Sequence, residues 1–151
     1  MMRSSSVLEQ DISTIGNTRK SFRSNYSFEV RRKESTHMRQ KYPDRFPVIC
    51  ERSPDALPFC PFLQKSKFLV PHDLTLGQFI AVIRNHMRID SEKAVYLFFD
   101  GIMHSLNKTM RELYFQHVES DGFLYATYTF EKTFGGSAPR GLRKEEERRT
   151  I

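Results

Sequence analysis

The succession of strand and helix signals predicts an α+β fold, a sheet-and-helix roll in one domain. Three observations carry that expectation. Two strand-like runs, "RFPVICER" and "KFLVP", flank a proline-rich loop; a capped amphipathic helix follows; and the later runs "AVYLFFDGIM" and "GFLYATYTF" return beside the first pair.

Residues 1–25 are rich in Ser, Asn and Arg with scattered apolar residues, the composition of a mobile arm. Phe28–Lys41, "FEVRRKESTHMRQK", is helix-compatible and basic, with Phe28, Arg31, Glu34 or Ser35, and Met38 on one face. "YPD" ends it, because a residue before proline avoids the helical region. Arg45–Arg52 reads as a strand, and Pro47 marks it as near a sheet edge. The prolines of "SPDALPFCPF" make a loop, and Lys67–Pro71 is a short second strand. Thr75 and Gln78 then form a capping box, and Leu76, Phe79 or Ile80, Ile83 and Met87 recur at core-facing spacing. Asp100-Gly101 suits a tight hairpin. Thr109 with Glu112 opens a short helix through "MRELYFQH", and Gly122–Phe130 closes the domain as a strand. Strand-like alternation runs on to Phe134, followed by Gly135, Gly136, a proline and a charged tail. The expected division is an arm over 1–25, a domain over 26–135 and a tail over 136–151.

The 151 residues are 38% hydrophobic and include 13 Phe, enough for one core. A net charge of +6 and a pI near 9.5 suit acidic partners, but so modest an excess is weak support for nucleic acid, which is not expected. No run of about 18 apolar residues predicts a transmembrane helix. The N-terminus lacks an apolar signal-peptide centre, so a soluble protein of the cytoplasm is expected. Cys50 and Cys60 make no disulfide framework and are expected as free thiols.

No glycine-rich phosphate loop, dinucleotide fingerprint or H-E-x-x-H is present. His37, His72, His86, His104 and His117 lack paired spacing and cysteines at zinc-ligand distances, so no metal site is expected. Cys50 beside Ile49 reads as a small core residue rather than an activated nucleophile, which sets a cysteine hydrolase aside. No catalytic residue is expected.

"KYPDRFPVICER", "KFLVP", "LTLGQF" and "DGFLYATY…KTFG" resemble, in order and spacing, the ubiquitin-like autophagy modifiers, the family of the microtubule-associated protein light chain and the GABA type A receptor-associated protein. The resemblance runs from about Phe28 to Gly135. "KFLVP", the proline-rich loop and "DGFLY" look closer to the light-chain branch. It implies a ubiquitin-like β-grasp roll with an N-terminal helical extension. It also implies that a processing cysteine protease cuts between Gly135 and Gly136, after Phe134-Gly135. The carboxylate then passes through activating and conjugating enzymes to phosphatidylethanolamine, the one covalent group implied; no other cofactor is. The residue chemistry is compatible, since glycine has no Cβ to obstruct a narrow channel.

The family binds aromatic-x-x-aliphatic motifs of cargo receptors as an added strand. Carried over, Glu34, Met38, Pro47, Ile49, Lys67, Leu69 and Phe123 line a first pocket. Phe68, Val70, Pro71, Leu74, Phe79 and Val82 line a second. Periodicity by itself leaves two readings of Phe79 and Val82: both buried in a broad core face, or both turned to a groove. Two buried anchors are worth roughly 2–3 kcal/mol each, consistent with binding on the order of micromolar. Arg45 and Lys65 flank the strand and suit acidic residues beside the motif. His86 stands where the family usually has arginine, so its contact with acidic residues is expected either to be weaker or to strengthen as pH falls. The basic helix is either a solvated face or a surface for anionic headgroups or tubulin, which would add a cytoskeletal location. The resemblance thus implies a modifier in autophagosome formation and cargo recruitment, anchored to the autophagosome membrane by lipid. The alternative is a non-conjugated adaptor of the same fold that keeps its tail and binds motif peptides or microtubules.

Overall fold

Alternation along the strands decides which layer each side chain joins. The computed structural model describes residues 20–87 and 93–130. In chain order the elements are α1 (Phe22–Asn25), α2 (Phe28–Lys41), β1 (Arg45–Arg52), β2 (Lys67–Pro71), α3 (Leu76–Met87), β3 (Tyr96–Phe98), α4 (Met110–His117) and β4 (Leu124–Thr129). The strands form one sheet in the order β2-β1-β4-β3. β1 pairs antiparallel with β2 and parallel with β4, and β3 pairs antiparallel with β4.

Phe46, Val48 and Cys50 of β1, Phe68 and Val70 of β2, and Leu124, Ala126 and Tyr128 of β4 point to one face. There they meet Leu76, Phe79, Ile83 and Met87 of α3 and Met110, Leu113 and Tyr114 of α4. The alternate residues Ile49, Leu69, Phe123 and Tyr125 point to the other face and pack with Met38 of α2 and Phe22 of α1. The sheet is thus clasped between α3 and α4 on one side and the N-terminal helices on the other.

The helices start where their caps dictate. Ser27 Oγ accepts from the Val30 N–H and opens α2. Both expected capping boxes form. Gln78 N–H donates to Thr75 Oγ1 at 3.1 Å while Gln78 Oε1 accepts from the Thr75 N–H at 2.9 Å, and Thr109 and Glu112 repeat the pattern at 3.1 and 3.0 Å. Asp100 and Gly101 both have positive φ, 56° and 77°, and the Phe99 and Ile102 backbones exchange two hydrogen bonds across them. That is the tight hairpin turn expected from the dipeptide.

Three expectations need correction, and one open alternative is settled. Pro47 does not mark an edge, because β1 is an inner strand. The ladder with β4 begins only at Val48, so no partner stands where the Pro47 N–H is missing. The arm expected over 1–25 is not uniform: Phe22–Asn25 is a helical turn capped by Ser21, and Phe22 is only 3% exposed. Phe28 leaves the buried face of α2 and is 44% exposed, while Ser35 takes an inner position. In α3 it is Phe79, not Ile80, that joins the fully buried stripe, so Phe79 faces the core and not an open groove.

Candidate functional site

β2 lies at the end of the strand order, so only one of its sides is paired within the sheet. Cys50 N–H donates to the Ser66 carbonyl, and His72 N–H donates to the Asp44 carbonyl. Antiparallel alternation between these two bonds turns the backbone groups of Lys67 and Leu69 away from β1, toward the outer edge. Such an edge is the structural requirement for docking an extended peptide.

Most residues of the first expected set come together on the α2 face of the sheet. Met38, Ile49 and Phe123 are buried together, Leu69 packs against them partly buried, and Pro47 pairs with Leu69 across the strands. Lys67 and Glu34 form an ion pair, with Nζ 2.6 Å from Oε2, and the Lys67 side chain is buried. The structure adds a residue that sequence reasoning had assigned to the arm. The Phe22 ring stands edge-on to Phe123, with centroids 5.1 Å apart, and Lys67 Nζ lies 5.4 Å from its centre. Tyr26 and Tyr125 complete this aromatic group. Ser21, a strong capping residue just before Phe22, was the signal available for the turn.

The second expected set, Pro71 apart, lies on the opposite face. Phe68, Val70 and Phe79 are buried in the main core, while Leu74 and Val82 pack against it partly exposed. Phe68 meets Phe79 edge-on at 5.6 Å. Phe68, Val70 and Phe79 therefore belong to the core, Leu74 and Val82 keep reachable surface beside them, and half-buried Pro71 alternates onto the Leu69 side of β2. The flanking cations fall along the same strand. Lys65 Nζ sits 5.2 Å from the Phe68 ring centre, and Arg45 Nη1 donates to the Leu69 carbonyl at 3.4 Å. His86 is exposed, bonds the Val82 carbonyl through Nδ1 and stands edge-on to Phe68.

Part of the basic α2 is committed to internal contacts. Arg31 Nε donates to Asp121 Oδ2 at 2.9 Å, and its Nη1 reaches the Tyr26 carbonyl. Arg39 lies over the Phe46 ring at 4.8 Å. Buried Asp121 also accepts from the Phe123 N–H and the Tyr125 hydroxyl, which locks the "DGFLY" segment under α2. Burial pushes the Tyr125 hydroxyl well above the usual phenol range, so it stays a donor.

Cys50 and Cys60 are free and buried, as expected from their number. Burial drives the Cys50 thiol far above the ordinary range, the opposite of an activated thiolate. The histidines are less scattered than their spacing suggests. His104 Nε2 lies 2.9 Å from His117 Nε2, and His117 Nδ1 lies 2.8 Å from Asp100 Oδ2. Among the described residues no group of three or more His, Cys, Asp or Glu could hold a metal ion, and no helix is long and apolar enough to cross a membrane. Phe134, Gly135 and Gly136 lie outside the described residues.

Helices on both faces of a mixed sheet, with its first and last strands paired in parallel at the centre, define a ubiquitin-like protein with a helical N-terminal extension. The family profile described as autophagy protein Atg8, ubiquitin like, matches residues 30–135. Autophagy-related protein 8 of Schizosaccharomyces pombe is 45% identical over 121 residues, covering 80% of this chain and 98% of its own. Its counterpart in Mycosarcoma maydis is 44% identical over 117 residues, covering 78% and 98%. The crystal structure of Trypanosoma brucei ATG8 superimposes with a TM-score of 0.72 at 33% identity, covering 78% of this chain and all of that one. The chain belongs to the Atg8 family of ubiquitin-like autophagy proteins.

Proposed function

We propose that this chain is a modifier, not an enzyme. A cysteine protease cuts it after Gly135, and the new carboxylate is joined to phosphatidylethanolamine. The lipid-linked form works on the autophagosome membrane, where the β2 edge recruits cargo receptors carrying aromatic-x-x-aliphatic motifs. Activating and conjugating enzymes carry the Gly135 carboxylate as an adenylate and then as thioesters, ending in an amide with the headgroup amine. The observation that carries the reading of the chain end is that the family match runs to residue 135 and stops there. The docking reading is supported by the edge position of β2, with Leu69 on one face and Leu74 and Val82 reachable on the other.

Intact mass spectrometry of the full chain expressed in cells tests the first part. The expected species ends at Gly135 and carries one phospholipid, and Gly135→Ala abolishes both the adduct and membrane puncta. A steady-state protein that keeps residues 136–151 and carries no lipid would overturn the reading in favour of a non-conjugated adaptor.

A further inference from the structure

The loop between β1 and β2 carries two phenylalanines that the fold does not bury. Phe59 is 58% and Phe62 48% exposed, although Cys60 and Leu63 beside them are buried. The loop is pinned in place. Arg52 donates to the carbonyls of Cys60 and Leu57, each at 2.9 Å. The Tyr128 hydroxyl donates to the Pro61 carbonyl at 2.8 Å and accepts from the Leu63 N–H at 2.9 Å. Both rings stand out from a backbone already ordered, so using them costs little further conformational entropy.

Their place in the fold names the surface they meet. β1 and β4 run parallel, with Arg52 opposite Tyr128, so the loop leaves β1 beside the end of β4. The Phe59 ring lies 5.9 Å from that of Phe130, the last described residue. The segment from Phe130 to Gly135 spans at most about 18 Å when fully extended. A bilayer holding a lipid on Gly135 is therefore kept within a short tether of both rings. Cations stand at the same end, with the Arg52 guanidinium 4.5 Å from the Phe62 ring centre and Lys93 Nζ 5.7 Å from that of Phe130. Exposed aromatic rings flanked by cations match the acyl boundary and anionic headgroups of a membrane surface.

The geometry points to Phe59 and Phe62 as a membrane-contact wedge, with exposed Lys93 meeting anionic headgroups while Arg52 holds the loop. Its biological setting rests on the conjugation proposed at Gly135, but its physical test does not. The full chain, carrying a histidine tag after Ile151, is tethered to vesicles of phosphatidylcholine and phosphatidylserine through a nickel-chelating lipid. This requires neither cleavage nor conjugation.

The chain has no tryptophan of its own, so a single substitution reports one site. Emission from Phe59→Trp and Phe62→Trp shifts to the blue and is quenched by lipids brominated on the acyl chains. Phe115→Trp, at an exposed position of α4, keeps its aqueous spectrum. Without the tether, replacing either phenylalanine by serine weakens vesicle partitioning by about tenfold, the ~1.4 kcal/mol expected for burying the exposed part of such a ring. Unshifted, unquenched emission from both Trp variants on vesicles that demonstrably carry the protein would overturn the wedge, whatever lipid Gly135 bears in cells. Quenching with no adduct on Gly135 in cells would leave the wedge standing and remove the conjugation.

Discussion

Gly122 has a φ of +91°, and a Cβ built on it would strike the Ser35 hydroxyl, which itself donates to the Asp121 carbonyl at 2.6 Å. Gly122→Ala therefore combines backbone strain with a steric clash and should cost about 1–3 kcal/mol in denaturant unfolding. Gly101 is the control. Its φ is +77° but nothing lies near the absent Cβ, so Gly101→Ala costs only the strain, about 1 kcal/mol. Equal losses at the two positions would show that Ser35 gives way freely. Glu51 offers a pH-dependent counterpart. Burial holds its carboxyl above the ordinary range, opposed in part by the Phe22 N–H and by Arg23. Because the folded value is raised, folding favours the protonated form. The stabilising contribution is complete below the unfolded carboxyl range and is lost as pH rises through the folded value. Glu51→Gln should therefore gain stability relative to the parent as pH rises from acid to neutral, followed by urea midpoints. A difference constant with pH would exclude this role.

At the scale of the element, β2 matters because its two faces and its edge act separately. Leu69→Ala tests the proposed docking on the α2 side and should lower motif-peptide affinity about tenfold or more, with little change in unfolding midpoint. Phe68→Ala cannot serve the same test. Its ring belongs to the main core, so its loss should cost about 3–5 kcal/mol and confuse binding with folding. Unchanged peptide affinity in Leu69→Ala would move the docking site off this strand. The elements themselves were legible where local chemistry is strong. α2, β1, β2 and α4 keep the expected bounds, because capping side chains and β-branched runs act within a few residues. α1 was not legible, since a four-residue turn is too short to show a helical period and depends on where Phe22 lands. Pro47 misled for a related reason: its tolerance inside β1 depends on where β4 starts, far along the chain.

Across the whole molecule, the N-terminal helices are held by a few directed contacts as well as by area. Buried Asp121 binds Arg31, Tyr125 and the Phe123 backbone, and Arg31 extends the tie to Tyr26. Asp121→Ala leaves these donors unmatched and should cost about 3–5 kcal/mol. Hydrogen exchange should then quicken in α1 and α2 before it does in α3. Uniform quickening would mean that the two layers unfold as one. The first pocket shows how far sequence reasoning reached at this scale. Met38, Ile49, Leu69 and Phe123 were placed together through the family resemblance, and alternation along β1, β2 and β4 explains why they share a face. Phe22 and the His104–His117 contact escaped, because both arise only when distant segments close on one another.

The parallel pairing at the centre of the sheet has a consequence for how the molecule is made. β1 meets β4 from Val48↔Leu124 to Arg52↔Tyr128, so a strand synthesised early waits for the last one before its second flank is covered. Until then a growing chain can offer β1 paired only to β2, a hydrophobic strand with one side bare. Folding is therefore completed only after β4 has been made and can reach β1.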